Sequence, residues 1–365
     1  MPAIGPNSHV LVTGGSGFIA VWCCYQLLER GHSVRATVRS TDKGEHLEQL
    51  FKQFGDKFSF VIAEDLEKEG AFDDAVKGVD AVLHTASPFH FNIEGDPRGT
   101  LINPALNGTK NVLKSIHQHG DKVQRVVVTS SFASVLDASK EVPYTFTEKD
   151  WNESSVANVE KLGNKQEGID AYRASKTMAE RAAWEFVENN KPKWDLTTIN
   201  PPFVLGPIAH QVNSPEKLNT SAAAVWGLFH GAKKDDDLLK PAGNCVDVRD
   251  VAYGHVEALV REEAGGQRFA TSLGRYTWQQ VADVVHNDSQ IPADWKKAVP
   301  VGKPGEGDKV VQHTFDGSKA TRVLGLNYIP LQKIIEDMTK SFADYEKRGW
   351  KGVAGQDILA LGKKV

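Results

Sequence analysis

Short apolar stretches rich in β-branched residues recur along the first two-thirds of the chain: HVLVT (9–13), SVRATV (33–38), FSFVIA (58–63), DAVLHTA (80–86), VQRVVVT (123–129) and LTTINP (196–201). They are largely apolar without a clean alternation, the pattern of buried parallel strands covered on both faces. Between the first two, Phe18, Val21, Tyr25 and Leu28 recur at helical spacing until Gly31 ends the run, which predicts a helix there. Strands and helices alternating at this length predict an α/β fold: a Rossmann-type doubly wound parallel sheet with right-handed crossovers.

Beyond Pro207 the regularity falls. Helical patterns appear at 222–230, 247–262, 278–286 and 331–348, with a Gly- and Pro-rich stretch at 299–309 and the charge run KKDDD at 233–237, read as a solvated loop. This predicts a sheet domain over 1–204 and a smaller C-terminal substrate-binding lobe over 205–365, with 245–262 returning to the sheet domain. Ligands then belong at the sheet's carboxyl edge, beside the lobe.

Composition narrows the function classes. Of 365 residues, 40% are hydrophobic and 25% charged, as in an ordinary globular protein. Lys and Arg number 43 against 47 Asp and Glu, a net charge of −4 that offers no electrostatic footprint for nucleic acid or an anionic membrane. The apolar run at 222–229 is far too short to span a bilayer. Cys23 and Cys24 are adjacent and Cys245 stands apart, so neither a disulfide framework nor a metal-type spacing is present. MPAIGPNSHV has no signal-peptide pattern. The expectation is a cytoplasmic protein, monomer or homodimer, acting on a small molecule. Its histidines show no metal-ligand spacing with a supporting carboxylate, so no catalytic metal is expected.

The strand HVLVT runs directly into Gly14-Gly15-Ser16-Gly17-Phe18-Ile19-Ala20. Glycines at such a turn let the backbone approach a pyrophosphate, and the helix that follows offers free N–H groups and partial positive charge. No Lys–Ser/Thr pair follows, so this is not an ATP loop. An NAD site calls for Asp or Glu at the end of the second strand, and a 2′-phosphate calls for Arg. From 30 to 41 the chain has no acidic residue; it has Arg35, Arg39 and Ser40, with Lys43 just beyond. Arg39 is the expected phosphate clamp and NADP(H) the expected cofactor.

Tyr172-Arg173-Ala174-Ser175-Lys176 puts a phenol and an ammonium at i and i+4 on one helix face. A neighbouring ammonium and an oxidised nicotinamide are both expected to lower the tyrosine's pKa, fitting it to act as general acid in reduction and general base in the reverse. Upstream, Thr129-Ser130-Ser131-Phe132 places hydroxyls at a strand's carboxyl end, where a serine can hold a substrate oxygen against the tyrosine. Spacing does not separate Ser130 from Ser131. Phe89, Phe91, Phe132, Phe203 and Trp226 make a candidate apolar pocket. His84 reads as a core histidine, and Asn107 as a candidate to hold a relay water.

T-G-G-S-G-F-I-A, V-R-A-T-V-R, H-T-A-S-P-F, V-V-V-T-S-S-F, Y-R-A-S-K and N-P-P-F-V-L-G-P occur in the order seen in extended short-chain dehydrogenases/reductases. The chain resembles their dihydroflavonol 4-reductase/cinnamoyl-CoA reductase branch, and within it the yeast and fungal NADPH-dependent aldehyde and ketone reductases. The resemblance implies a Ser131–Tyr172–Lys176 triad and phosphate contacts from Arg39 and Lys43. It further implies cofactor contacts from Gly14, Ser16, Gly17, Phe18 and Ile19, from Asp65 and Leu66 beside the adenine, and from Thr85, Ala86 and Ser87. Thr129, Ser130, Tyr172 and Lys176 complete the cofactor wall, with Pro201 and Phe203 beside the nicotinamide. It marks 246–251 (VDVRDV) as a structural signature. The stretch at 132–146 departs from the plant specificity segment, and DWNE (150–153) stands where the plant cinnamoyl-CoA branch carries a NWCY-type motif. The expected activity is reduction of ketones or aldehydes to alcohols. Sugar-nucleotide epimerase, hydroxysteroid dehydrogenase and non-catalytic NADP sensor are the alternatives; Arg39 argues against the first and the complete triad against the last.

Overall fold

The elements run β1 (His9–Thr13), α1 (Phe18–Glu29), β2 (Ser33–Val38), α2 (Thr41–Leu50), β3 (Phe58–Ile62), β4 (Ala81–His84), α3 (Asn103–His119), β5 (Arg125–Thr129), β6 (Thr145–Phe146), α4 (Glu153–Leu162), α5 (Gly168–Asn190) and β7 (Asp195–Asn200). There follow β8 (Phe203–Leu205), α6 (Thr220–Phe229), α7 (Asp235–Leu238), β9 (Pro241–Asp247), α8 (Val248–Val260), β10 (Arg268–Ala270), β11 (Gly274–Thr277), α9 (Trp278–Asn287), α10 (Ala293–Ala298), β12 (Thr314–Phe315), α11 (Ser318–Leu324), α12 (Leu331–Lys347) and α13 (Gln356–Ala360). The structure is a computed structural model and describes residues 4–87, 96–163 and 167–362.

Seven parallel strands form the main sheet in the order β10-β7-β5-β4-β1-β2-β3. The apolar runs are continuous because both faces are covered. Val10, Val12, Ala81, Leu83 and Val127 point into one core with α1, α2 and α8. Leu11, Val82, Val126 and Val128, their immediate neighbours, point into the other with α3 and α5. Trp22 anchors the first core: it is fully buried, and its indole N–H donates to Pro207 O at 3.0 Å.

The lobe is built on a second apolar core from α6, α9 and α12, including Val225, Phe229, Val281, Val285, Met338 and Phe342. A three-stranded sheet, β11-β9-β8, stands beside it. Asp247, the last residue of β9 and the cap of α8, is fully buried; its carboxylate accepts from Arg249 N, Nε and Nη2 at 2.7, 2.8 and 2.7 Å. Arg249 Nη1 reaches Asp337 of α12 at 2.7 Å, so VDVRDV ties lobe to sheet domain through a compensated buried charge cluster.

The domain boundaries drawn from the sequence need correction. β10 pairs with β7, which puts 268–270 in the main sheet, and α8 packs into the first core, whereas 245–247 belong to β9 of the second sheet; a three-residue strand carries no readable period. Ala354, Ile358 and Leu359 also pack into the first core, returning the chain's last described segment to the sheet domain. Conversely, β8 begins at Phe203, so 203–204 belong to the second sheet. In the charge run 233–237, Lys234, Asp235 and Asp236 are exposed and Lys233 and Asp237 half-buried, and 235–238 form a helical turn rather than a loop, with Asp side chains at its positive end.

Candidate active site

The strand ends converge on one edge, and the glycine turn shows what that edge accommodates. Gly14 has φ +64°, and a Cβ there would lie 3.0 Å from Ala86 Cβ. At Gly15 it would lie 2.6 Å from Ala36 Cβ, and at Gly17 3.2 Å from Gly14 O. The turn therefore lies flat between β2 and the end of β4 because no side chain intrudes. α1 opens without a side-chain cap or an acidic residue in its first turn, which leaves its N-terminal dipole for an anion. This cradle fits a pyrophosphate, with Ser16, Phe18 and Ile19 along its rim.

At the end of β2, Arg39 is exposed and Lys43 half-buried. Burial lowers the Lys43 pKa, Asp42 opposes the shift, and the Arg39 charge adds to it, so both cations occupy one region. Among the described residues neither joins a salt bridge. Arg35 is committed elsewhere: its Nη1 donates to Ala75 O and Lys77 O at 3.0 and 2.8 Å. Asp65 caps its own turn through Glu67 N at 2.8 Å, and Leu66 O accepts from Asn111 Nδ2 at 3.1 Å. Thr85 hydrogen-bonds Thr13 O.

The structure brings Ser131, Tyr172, Lys176 and Ser87 together. Tyr172 and Lys176 are each 8% exposed on α5, with Lys176 Nζ 5.7 Å from the Tyr172 ring centroid. The Ser131 side chain neighbours the Tyr172 phenol and, as a hydrogen-bonding group, favours its ionised form. Lys176 Nζ donates to Ser87 Oγ at 2.5 Å. In the protein alone the tyrosine's pKa moves the other way. Burial pushes Tyr172 up to about 12, with Ser131 opposing. Burial also brings Lys176 down to about 8. Desolvation penalises the charged form of both groups.

The two serines are distinguished by their partners. Ser130 is buried and its hydroxyl donates to Glu180 Oε2 at 2.5 Å, whereas Ser131 Oγ accepts from Ala133 N at 3.1 Å and meets Tyr172. Thr129 Oγ1 is bonded to His255 Nε2 at 2.6 Å. Pro201 O accepts from Phe132 N at 2.8 Å, fixing the Ser131 turn to the end of β7.

The aromatic candidates separate. Phe132 stacks on Phe315 with ring centroids 4.2 Å apart and meets Phe146 edge-on. Phe203 is partly buried on β8, against the lobe core. Trp226 packs against His230, Trp295, Phe342 and Trp350, a lobe-core cluster. Phe89 and Phe91 lie outside the described residues. His84 has the core role read for it: it is buried, and its Nδ1 pairs with Thr13 Oγ1 at 2.8 Å. Asn107 Nδ2 donates to Glu67 Oε2 at 3.3 Å.

Residues 10–271 match the model of the NAD dependent epimerase/dehydratase family. The chain belongs to that family. Over 350 residues it is 37% identical to the NADPH-dependent methylglyoxal reductase GRE2 of Saccharomyces cerevisiae, covering 93% of this chain and 99% of that one. It is 38% identical over 351 residues to the ketoreductase azaE of Aspergillus niger, covering 92% and 97%. The structure of yeast methylglyoxal/isovaleraldehyde reductase Gre2 complexed with NADPH superposes with a TM-score of 0.83 at 36% identity, over 93% of this chain and 99% of that chain. A UDP-glucose 4-epimerase from Thermotoga maritima, 18% identical with a TM-score of 0.65, shares the fold.

Two buried groups beside the site escaped the sequence reading. Glu180 gathers donors from the Ser131 turn, β7 and β10. His255 of α8 holds Thr129. Glu180 had a local signal, a carboxylate one helical turn beyond Lys176, but its partners are remote in sequence.

Proposed function

We propose that this protein reduces aldehydes and ketones to alcohols with NADPH, with Tyr172 as the proton donor. The observation that carries the reading is the placement of Tyr172 and Lys176 on one helix face, with Lys176 Nζ 5.7 Å from the phenol ring and Ser131 beside it, at the strand edge that also holds the glycine cradle. NADPH, when bound, supplies the hydride. The glycine turn and Phe18–Ile19 backbone hold its pyrophosphate, and Arg39 and Lys43 hold the 2′-phosphate. Ser131 and Tyr172 bind the carbonyl oxygen, and Tyr172 gives it a proton from a phenol that burial keeps fully protonated at neutral pH. The Lys176 ammonium stabilises the phenolate that this leaves. Phe132 and Phe203 offer apolar surface for the rest of the substrate.

Relatives named as methylglyoxal and isovaleraldehyde reductases, and as a ketoreductase, support small aldehydes and ketones as the substrate class. Buried, unpaired Cys23, Cys24 and Cys245 support work in the cytoplasm. The test follows NADPH absorbance with methylglyoxal, isovaleraldehyde, aryl ketones and β-keto esters, beside Tyr172→Phe. Wild-type turnover that falls at least ~100-fold in the variant, with NADPH binding kept, is expected. Strong residual reduction by Tyr172→Phe removes it as the acid, and silence across the panel with NADPH bound removes the activity.

A further inference from the structure

Glu180 is 2% exposed and lies on α5, one turn beyond Lys176 and two beyond Tyr172. Its Oε2 accepts from Ser130 Oγ at 2.5 Å, Ser134 Oγ at 2.6 Å and Asn200 Nδ2 at 2.7 Å. Its Oε1 accepts from Arg268 Nε at 2.6 Å and Thr198 Oγ1 at 3.0 Å. One carboxylate thus ties the helix of Tyr172 and Lys176 to the turn after β5, to β7 and to β10. Burial acts to raise its pKa, but Arg268 and the serine donors hold it below the usual carboxylate range, so it is an anion at neutral pH.

Ser131 hangs between two of these tethers. Ser130 precedes it, and Ser134 closes the turn that it opens. The single Ser134 hydroxyl proton can reach Glu180 Oε2 or Ser131 O at 2.7 Å, and the charged acceptor is the stronger. Asn200 Nδ2 bridges Glu180 and Ser134 Oγ, the latter at 3.0 Å. The Ser131 turn is therefore held against α5 by charge-assisted bonds that converge on one group. Replacing a buried ion pair by apolar side chains is often neutral or stabilising, so such a network is better explained by the geometry that it enforces.

We propose that Glu180 is a positioning residue for the reaction, holding Ser131 in hydrogen-bonding register with Tyr172. This rests on the reading of Ser131 and Tyr172 as the contacts to the carbonyl oxygen. Glu180→Gln keeps the shape, removes the charge and turns an amide toward groups that are themselves donors.

The experiment measures kcat, the KM for the carbonyl, the NADPH Kd and Tm for Glu180→Gln, Ser131→Ala and the double variant. Glu180→Gln alone is expected to lower kcat by about 10- to 100-fold with the NADPH Kd within about 2-fold, because misplacement of a contact costs rate rather than cofactor affinity. On top of Ser131→Ala it is expected to change kcat by less than about 2-fold, since the contact that it positions is gone. Losses that multiply in the double variant, or a parallel loss of NADPH affinity, overturn the proposal. A Ser131→Ala variant with wild-type kcat overturns the underlying site reading first, a distinguishable result. If Glu180→Gln does not fold, Ser134→Ala removes one tether and leaves the Glu180–Arg268 pair. It must show the same non-additivity with Ser131→Ala, and multiplying losses again overturn the proposal.

Discussion

Lys176 Nζ donates to Ser87 Oγ at 2.5 Å, so the ammonium beside the tyrosine is tethered to the end of β4 as well as to its own helix. Burial brings this group to about 8. It is therefore the member of the triad whose charge changes in the working range of pH, while Tyr172, near 12, stays protonated.

A basic limb in the reduction rate follows. Below about 8 Lys176 is charged and stabilises the phenolate developing at Tyr172; as pH rises through 8 it loses that charge and kcat/KM falls. Lys176→Arg keeps a cation that does not titrate there, so its profile is expected to be lower but flat from pH 7 to 9. A wild-type profile flat to pH 10 excludes Lys176 as the electrostatic partner.

Arg39→Glu is expected to raise the NADPH KM by about 100-fold, by removing a charge-assisted fork and adding repulsion, with a far smaller effect on NADH. Steady-state kinetics with both cofactors decide it. Equal effects on the two remove Arg39 from the 2′-phosphate.

The glycine cradle is testable through its neighbour. Gly14→Ala forces a side chain onto a residue at φ +64° and to within 3.1 Å of Ala86 Cα, and is expected to cost about 1–3 kcal/mol of stability and to weaken NADPH binding. Adding Ala86→Gly removes the nearest side-chain contact but not the backbone strain, so it should recover part of the loss. Urea unfolding and NADPH titration measure both; full recovery shows that the conformation at Gly14 is immaterial.

What could be read without a structure was what neighbours in sequence carry. The glycine turn, Arg39 at a strand end and the Tyr172–Lys176 pair each sit within one element or one junction, and the strands announce themselves by continuous apolar runs. Glu180 was missed because its partners come from 130, 134, 198, 200 and 268, which meet through the sheet order alone. β10 was missed because three residues show no period. The direction of the Tyr172 shift in the protein alone was not legible for a related reason: the neighbouring ammonium is visible in Y-x-x-x-K, but the burial that raises the pKa is a property of the packed site.

Acid should destabilise the fold before its carboxylates titrate. Burial is the chief cause that lowers His46 and His255 to about 4 and His84 and His210 to about 3. Lys43 adds to the shift at both His46 and His210, and Lys176 adds to it at His84. His46 Nε2 and His210 Nδ1 have no hydrogen-bond partner among the described residues. All of these groups are neutral in folded and unfolded chains above about 6.5, the unfolded value. As pH falls below that, the unfolded chain takes up protons first, and each group removes up to about 1.4 kcal/mol per pH unit until its folded pKa is reached. Urea unfolding between pH 7.5 and 5 is therefore expected to show stability constant down to about 6.5 and falling steeply below. His210→Phe, which preserves a ring packed on Phe18, should make that decline shallower by about one proton. An unchanged slope in this variant means that His210 is not one of the groups responsible.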